Sequence, residues 1–390
     1  MRVLFVTPYY FPELKFGGPP KRIHAISRAL RARGHEVRVL TFHSERPNGS
    51  PDEDFDGVPV RYVPWIGKSL RQIPVRTGIL RAEVVAADVV HCYGLYNLLC
   101  PRAARWARHF SKPYFLEPMG MYVPRVASIG WKRLYHAVFT NRMARGAEAV
   151  VATSPMERDE LSALGEGMNI VVRRNGIDLE EFARLPSPQI MRERWGAGPD
   201  DRVVLYLGRI NKKKNLEELI LAFRDAAVDR SRLVIAGPCG EPSYAARLQQ
   251  LIGANEAPPP IRLEGPLYGV DHLAALAAAD LFVLPSLNEN FGNAAAEAVA
   301  AGVPVLLTET CGVAPIIHRR AGLAIPLGIQ PLVDGIKTML DPRAMQETTA
   351  GREEAKHDLS WDDPIRQTED LYESALGARA GVARDRRRGS

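Results

Sequence analysis

Cysteine is scarce in this chain, with four (Cys92, Cys100, Cys239 and Cys311) among 390 residues and none in a CxxC pair. That excludes a disulfide framework and a structural zinc site, and the four read as small core residues in a reducing cytosol. No apolar run approaches the roughly eighteen residues of a spanning helix, so none is expected to cross a bilayer. The opening MRVLFVTPYYF is apolar only as far as Thr7, where Pro8 stops it. It reads as a first buried strand rather than a signal peptide. The dinucleotide fingerprint GxGxxG and the Walker loop GxxxxGK[ST] are both absent, as are RNA-binding motifs with interleaved aromatics. A net charge of +6 is too small to argue for nucleic acid. Usage of 46% apolar and 25% charged residues excludes a disordered or fibrous chain.

What is present is length, uneven charge and a repeating pattern. A chain of 390 residues is more than twice the commonest domain size, which predicts two domains with separate cores. Residues 1–180 hold 26 Lys and Arg against 17 Asp and Glu, and the remainder 25 against 28. A basic first half points to something anionic on that side. Along the chain a short β-rich apolar run, a turn and a helix-period stretch recur. RVLFVT, Gly17-Gly18-Pro19-Pro20 and KRIHAISRALRARG come first, with prolines suited to a first helical turn and Gly34 to its end. HEVRVLTF, VPVRYVP, ADVVHCY, KPYFLEP, AEAVVATS and NIVVRRN follow, and such runs are buried parallel strands. Beyond Asn175-Gly176-Ile177-Asp178, a stretch with Pro186, Pro188 and Pro199 is the best linker. The alternation restarts with DRVVLYLG, RLVIAG, IRLEG, DLFVLPS and VPVLLT, with helices expected over 215–228, 241–252, 269–279 and 293–301.

The fold class is therefore α/β, two doubly wound Rossmann-like domains over residues 1–182 and 183–361. A helix over 362–379 is expected to pack on a domain face, with a disordered Gly/Arg-rich tail over 380–390. Ligands of such sheets bind beyond the carboxyl ends of the strands, which puts the expected site in the cleft between domains. A hinge near Asn175–Pro188 would let the cleft close.

Three strand-to-helix junctions can carry chemistry. Gly17 and Gly18 follow the first strand, where the backbone can approach an anion at a helix start or simply turn tightly. Arg209, Lys212, Lys213 and Lys214 follow VVLYLG, and so many cations before a helix oppose its dipole. That placement makes sense if they hold a diphosphate. The third junction is Glu289-Asn290-Phe291-Gly292-Asn293-Ala294, with Glu297 eight positions after Glu289. It sets two carboxylates, suited to sugar and ribose hydroxyls, around a helix start whose Asn293 and Ala294 N–H groups suit phosphate. Asp52-Glu53-Asp54 imitates a metal-binding DxD, but lies in a Pro/Gly-rich loop and reads as solvated acids.

The pair of glutamates within ENFGNAAAEAVAAGVPV resembles the signature of the retaining glycosyltransferases of the GT-B fold, group 1, family GT4. FGGPPKRI, DVVHCYG, NGID, GRINKKKN and ADLFVLPS extend the resemblance over nearly the whole chain. It implies a metal-independent transfer of a sugar, in the manner of a hexosyltransferase, from a UDP- or GDP-sugar to an acceptor hydroxyl. By the same resemblance Gly18 would give its N–H to the donor diphosphate, and Arg209 and Lys214 would pair with it. Glu289 would contact the donor sugar and Glu297 the ribose, with Asn293 and Ala294 adding phosphate contacts. The acceptor could be a polysaccharide, a lipid-linked glycan, a glycolipid or a small metabolite. On the acceptor side, Met119-Gly120 stands where relatives have a histidine and glycine, and His91 matches the first histidine of an HxH-like segment or is a strand-end core residue. The basic-aromatic stretch Arg125–Arg142 either rests on an anionic membrane, making the enzyme peripheral at its cytoplasmic face, or packs on the sheet. Lys21, Arg22, Arg28, Arg31 and Arg33 face an anionic acceptor or water. A sugar-nucleotide epimerase of the same fold and a non-catalytic nucleotide-sugar binder are the alternatives. A phosphorylase would need a pyridoxal-phosphate lysine, which nothing marks.

Overall fold

The computed structural model describes residues 1–13, 18–67, 72–75, 77–122, 134–163, 167–253 and 260–388. Gly17 and the stretch 123–133 lie outside them. The chain divides into two compact units, Met1–Asn175 with Trp361–Ser390, and Gly176–Ser360.

In the first unit β1 (Arg2–Val6), β2 (Glu36–Thr41), β3 (Glu53–Phe55), β4 (Val58–Tyr62), β7 (Val89–Tyr93), β8 (Tyr114–Glu117), β9 (Ala149–Ala152) and β10 (Ile170–Val172) form one sheet in the order β10-β9-β8-β7-β1-β2-β4-β3. Between them, β5 (Trp65–Ile66) and β6 (Ile73–Pro74) make a separate ribbon. All pairs in the large sheet are parallel except β3 with β4. Alternate residues of β1 serve opposite faces, since Val3 and Phe5 pack with Ile23, Ile26 and Leu30, while Leu4 and Val6 pack with Leu80, Val84 and Leu99. Helices thus cover both faces, which is why these strands read as continuous apolar runs.

In the second unit β11 (Arg202–Leu207), β12 (Ser231–Ala236), β13 (Ile261–Glu264), β14 (Leu281–Leu284), β15 (Val305–Thr308) and β16 (Gly322–Ile325) form an all-parallel sheet in the order β13-β12-β11-β14-β15-β16. Helices Leu216–Ala226, Pro242–Gly253, Val270–Ala278 and Asn293–Ala300 connect its strands.

Four expectations need correction. The first unit ends at Asn175 rather than 182, and Trp361 belongs to it. The Pro-rich segment after it is no bare linker, because the turn Leu179–Phe182 and helix Gln189–Trp195 bury Phe182, Met191 and Trp195 in the second core. Pro186 and Pro188 lead into that helix, with Pro188 at the cap position. The last helix runs from Asp362 to Arg388, through the tail expected to be disordered. Ala and Arg there are strong helix formers, and cations suit a helix's last turn. Cys239 is exposed in the loop after β12, while Cys92, Cys100 and Cys311 are buried. Asp52 pairs with Arg61 at 3.0 Å, Glu53 accepts from the Tyr62 hydroxyl at 2.8 Å, and Asp54 accepts from the Gly57 N–H at 2.7 Å. These acids stitch the β3–β4 hairpin. Among the described residues no helix is long and apolar enough to cross a membrane.

Candidate functional site

The second unit gathers most of the expected residues at the carboxyl ends of β11 and β14. These strands are parallel neighbours, with Val204 opposite Leu281 and Leu205 opposite Phe282. After β11 the chain passes Gly208 and Arg209 into a short turn over Lys212–Lys214. After β14 it passes Ser286 into the loop carrying Glu289. The Leu287 N–H donates to the Lys213 carbonyl at 2.9 Å, which ties one loop to the other. The Lys214 ammonium and Glu289 carboxylate are in direct contact, each side chain about one-fifth exposed.

The Glu289 loop is held from its other side by the chain after β15. Thr308 and Thr310 hydroxyls donate to the Ser286 carbonyl at 2.7 and 2.6 Å. Glu289 N–H donates to the Thr310 carbonyl at 3.0 Å, and its carbonyl accepts from Gly312 N–H at 2.9 Å. Val313 N–H closes the row on the carbonyl of buried Phe291 at 2.8 Å. Gly292 then turns into the helix with φ of 103°. A Cβ there would lie 3.2 Å from Val313 and 3.3 Å from Leu284, so the turn needs glycine. Asn290 is half-buried in the same bend. The cap residue, Gly292, has no side chain to offer, and the helix that Asn293 and Ala294 open presents an amino terminus, an end that attracts anions.

Arg209 has an exposed side chain, and among the described residues no carboxylate lies within ion-pair distance of it. Its carbonyl accepts from the buried Tyr206 hydroxyl at 3.0 Å. Burial, reinforced by Glu289, pushes that phenol well up, so it remains a neutral donor. Gly208 lies against Gly237 so closely that a Cβ on Gly237 would sit 1.9 Å from the Gly208 carbonyl oxygen. This contact holds the Arg209 loop on the loop after β12. Glu297 bonds His272 of the helix Val270–Ala278, Nε2 to Oε2 at 3.0 Å. Sequence spacing missed His272, because nothing local links it to a carboxylate on the following helix. In the loop after β13, Leu267 is buried, and the next residue, Tyr268, is 57% exposed.

The first unit places its candidates differently. Gly18 opens the helix Gly18–Ala32, followed by Pro19 and Pro20. Prolines carry no N–H, so Gly18 is the donor among those three. Met119 and Gly120 are the two left-handed residues of a tight turn, φ 56° and 74°, closed by Met121 N–H on the Pro118 carbonyl at 3.2 Å. A non-glycine residue in that region is uncommon and marks a conformation held by its surroundings. Gly120 N–H is already given to buried Glu157 at 2.6 Å.

His91 belongs to the core and does not face an acceptor, with 1% exposure. It stacks on Tyr93 at 4.3 Å and its Nδ1 bonds the Tyr372 hydroxyl at 2.6 Å. Its Nε2 lies 3.6 Å from Glu117, a fully buried carboxylate that also binds Arg173 directly and Arg22 at 2.5 Å. Arg22 further donates to Asn175 at 2.8 Å. Burial pushes Glu117 up, but Arg173, Arg22 and His91 outweigh it and leave the carboxyl below its usual range. Burial lowers His91 to about 3 despite Glu117, so the ring is neutral. Arg22, expected to meet acceptor or water, is thus a buried structural cation, and Arg33 pairs with Glu369 at 2.6 Å. Of the basic-aromatic stretch, Tyr135 packs inward, while Leu134 and Val138 are exposed beside Arg142 and Arg145.

Comparison with known proteins follows the same division. Residues 188–356 match the family model described as glycosyl transferases group 1, and residues 17–176 match that of the glycosyl transferase 4-like domain. A glycogen synthase of Mycobacterium tuberculosis is 29% identical over 96% of this chain and 95% of its own. A D-inositol 3-phosphate glycosyltransferase of a Nocardioides species is 26% identical over 92% of this chain and 85% of its own. Among solved structures, Anabaena HepE in complex with UDP and glucose superposes with a TM-score of 0.72 at 21% identity, covering 96% of this chain and all of that one.

Proposed function

Because the chain belongs to the group 1 glycosyltransferases, family GT4, of the GT-B fold, we propose that it moves a sugar from a nucleoside-diphosphate donor to an acceptor hydroxyl with retained anomeric configuration. The observation that carries this reading is the Lys214–Glu289 contact in the same strand-to-helix junction as a glycine-led helix start and Glu297, all at the carboxyl edge of one parallel sheet.

Breaking a sugar–phosphate bond puts negative charge on the diphosphate and positive character on the anomeric carbon. Preorganised donors stabilise the first, and a carboxylate the second. Arg209, Lys214 and the N–H groups of Asn293 and Ala294 take the diphosphate. A phosphate oxygen competes with Glu289 for Lys214, which frees the carboxylate to face the sugar. Glu297 takes the ribose hydroxyls, and backbone groups of Gly265–Leu267, after the strand IRLEG, select the base. On the first unit, Gly18 offers an N–H suited to a phosphate oxygen, and the Met119–Gly120 turn offers backbone groups to a sugar. Retention in this reading proceeds by front-face return of the acceptor through an oxocarbenium-like transition state, with donor phosphate as base. Two cations and a helix start supply the charge that a divalent ion would otherwise bring, so turnover needs no added metal. Complete loss in EDTA with recovery in Mn²⁺ would contradict this.

The relatives named above act on an inositol phosphate and in glycogen synthesis. Their range supports a hydroxyl-rich acceptor, either a growing glycan, lipid-linked or free, or a small polyol. Exposed Leu134 and Val138 beside Arg142 and Arg145 suit peripheral contact with an anionic membrane, which salt-sensitive sedimentation with anionic liposomes tests. For the donor, thermal shift with UDP, GDP and ADP and then their sugars selects the base. The decisive variant is Glu289→Ala, for which turnover is lost while nucleotide affinity is largely kept. Full turnover in that variant, or a product of inverted configuration by NMR, would refute the proposal.

A further inference from the structure

We infer, on the reading of the Met119–Gly120 turn as a backbone support for the donor sugar, that Glu157 is the positioning residue that holds this turn in shape. Glu157 lies on the helix Pro155–Ser162, which follows β9, and the turn follows β8. The two strands are parallel neighbours, with Phe115 opposite Ala149 and Leu116 opposite Val150. Their carboxyl ends therefore lie side by side, and the buried Glu157 side chain crosses from one to the other. Its Oε2 accepts from the Thr153 N–H at 2.8 Å and the Thr153 hydroxyl at 2.6 Å. Its Oε1 accepts from the Gly120 N–H at 2.6 Å.

Ser154 caps this helix, its hydroxyl accepting from the Glu157 N–H at 3.1 Å. In the usual box of this kind the acid three residues on returns to the start of its own helix. Here one oxygen does so, and the other reaches a residue 37 positions earlier. What that second bond secures is the turn. Both of its central residues are left-handed, and Met119, at φ 56°, is crowded there in a way that glycine is not. Met121 N–H on the Pro118 carbonyl closes the turn from within, and the Glu157 bond fixes it from outside. Among the described residues the Met119 N–H and the carbonyls of Met119 and Gly120 have no hydrogen-bond partner. The tether thus sets the direction of backbone groups that a ligand can use.

Three donors meet this carboxylate, and an amide cannot serve them all. In Glu157→Gln the two Thr153 donors draw the one acceptor oxygen to the helix side, which leaves an NH2 facing the Gly120 N–H. Titration calorimetry on the full chain compares UDP, GDP and ADP with UDP-glucose, GDP-mannose and ADP-glucose. For the pair that binds tightest, Glu157→Gln is expected to weaken the sugar nucleotide about tenfold, the scale of a hydrogen bond to a charged group. Binding of the bare nucleotide should not change. Adding Met119→Gly, which adopts a left-handed backbone freely, should restore most of the loss. Ser154→Ala loosens the same helix but keeps the Gly120 bond, so it should lower the melting temperature and leave the ratio of the two affinities as it was. Should Glu157→Gln not fold, Glu157→Asp, one methylene shorter, gives the same readout. Undiminished sugar-nucleotide binding, equal weakening of both ligands, or no rescue by glycine overturns the inference. Gly120→Pro removes both the N–H and the left-handed angle. If it weakens the sugar nucleotide while Glu157→Gln does not, the inference falls alone. If it too leaves the sugar nucleotide untouched, the reading of the turn falls with it.

Discussion

Neutral burial of His91 gives the first unit a stability that depends on pH, and its size can be worked out. In an unfolded chain a histidine titrates near about 6.5. In the folded unit burial, opposed by Glu117, brings His91 down to about 3. Below the unfolded value the unfolded chain takes up a proton that the folded unit refuses, so stability falls as pH falls. The slope approaches about 1.4 kcal/mol per pH unit. Integrated from pH 7 to pH 5 the loss is about 2 kcal/mol, and it continues until the folded ring itself protonates near 3. Glu117 works with the opposite group chemistry but lower down. Its folded value is depressed, so its contribution is present above the ordinary glutamate range near about 4.3 and is lost below it, outside this window. The perturbation is His91→Asn, which keeps a polar partner for the Tyr372 hydroxyl and removes the titration. Urea unfolding at pH 7, 6 and 5, followed by tryptophan fluorescence in a Trp195→Phe background, reports on the first unit, since Trp195 is the one tryptophan of the second. The gap between the parent and His91→Asn should change by about 2 kcal/mol across that range. Parallel profiles would refute the reasoning.

Further outcomes follow from the same geometry. Glu117→Gln leaves Arg22 and Arg173 buried without a counter-charge and should cost about 3–5 kcal/mol. Arg173→Met leaves the Arg22–Glu117 pair intact and should cost less, both read as denaturation midpoints. Gly237→Ala must push a methyl into the Gly208 carbonyl, so it should destabilise the second unit by about 3 kcal/mol or more and weaken nucleotide binding, seen by calorimetry. Arg209→Gln should weaken diphosphate binding about tenfold or more and flatten its dependence on salt, whereas a salt dependence equal to wild type would remove Arg209 from the phosphate site.

The strands and their helices were legible because parallel sheets covered on both faces write themselves as short apolar runs with amphipathic stretches between. RVLFVT, ADVVHCY and DLFVLPS are strands where the residues place them. The carboxylates of the second unit were legible for a different reason, since Glu289, Gly292 and Glu297 lie within one strand-to-helix junction. What stayed hidden is non-local. Glu117, Arg173 and Arg22 lie far apart in sequence, and a charged residue in a strand-end context gives no sign that it is fully buried until its partner is known. His272 carries no local signature, and the Pro186–Pro188 segment looks like a linker because proline opens helices and breaks them alike. The tail was misread since a Gly/Arg-rich composition suggests disorder, whereas Ala and Arg favour the helical backbone.

The return of the last helix to the first unit has a consequence for synthesis. Tyr372, the hydrogen-bond partner of His91, leaves the ribosome after every residue of the second unit. The second unit is continuous from Gly176 to Ser360 and can complete its core while the chain is still being made. The first unit, although translated earlier, keeps an unfinished face around Phe115 and His91 until the helix that carries Tyr372 arrives. Vectorial folding is thus inverted, the later-made unit closing first. A nascent chain arrested before Tyr372 should carry a protease-sensitive first half and a resistant second one.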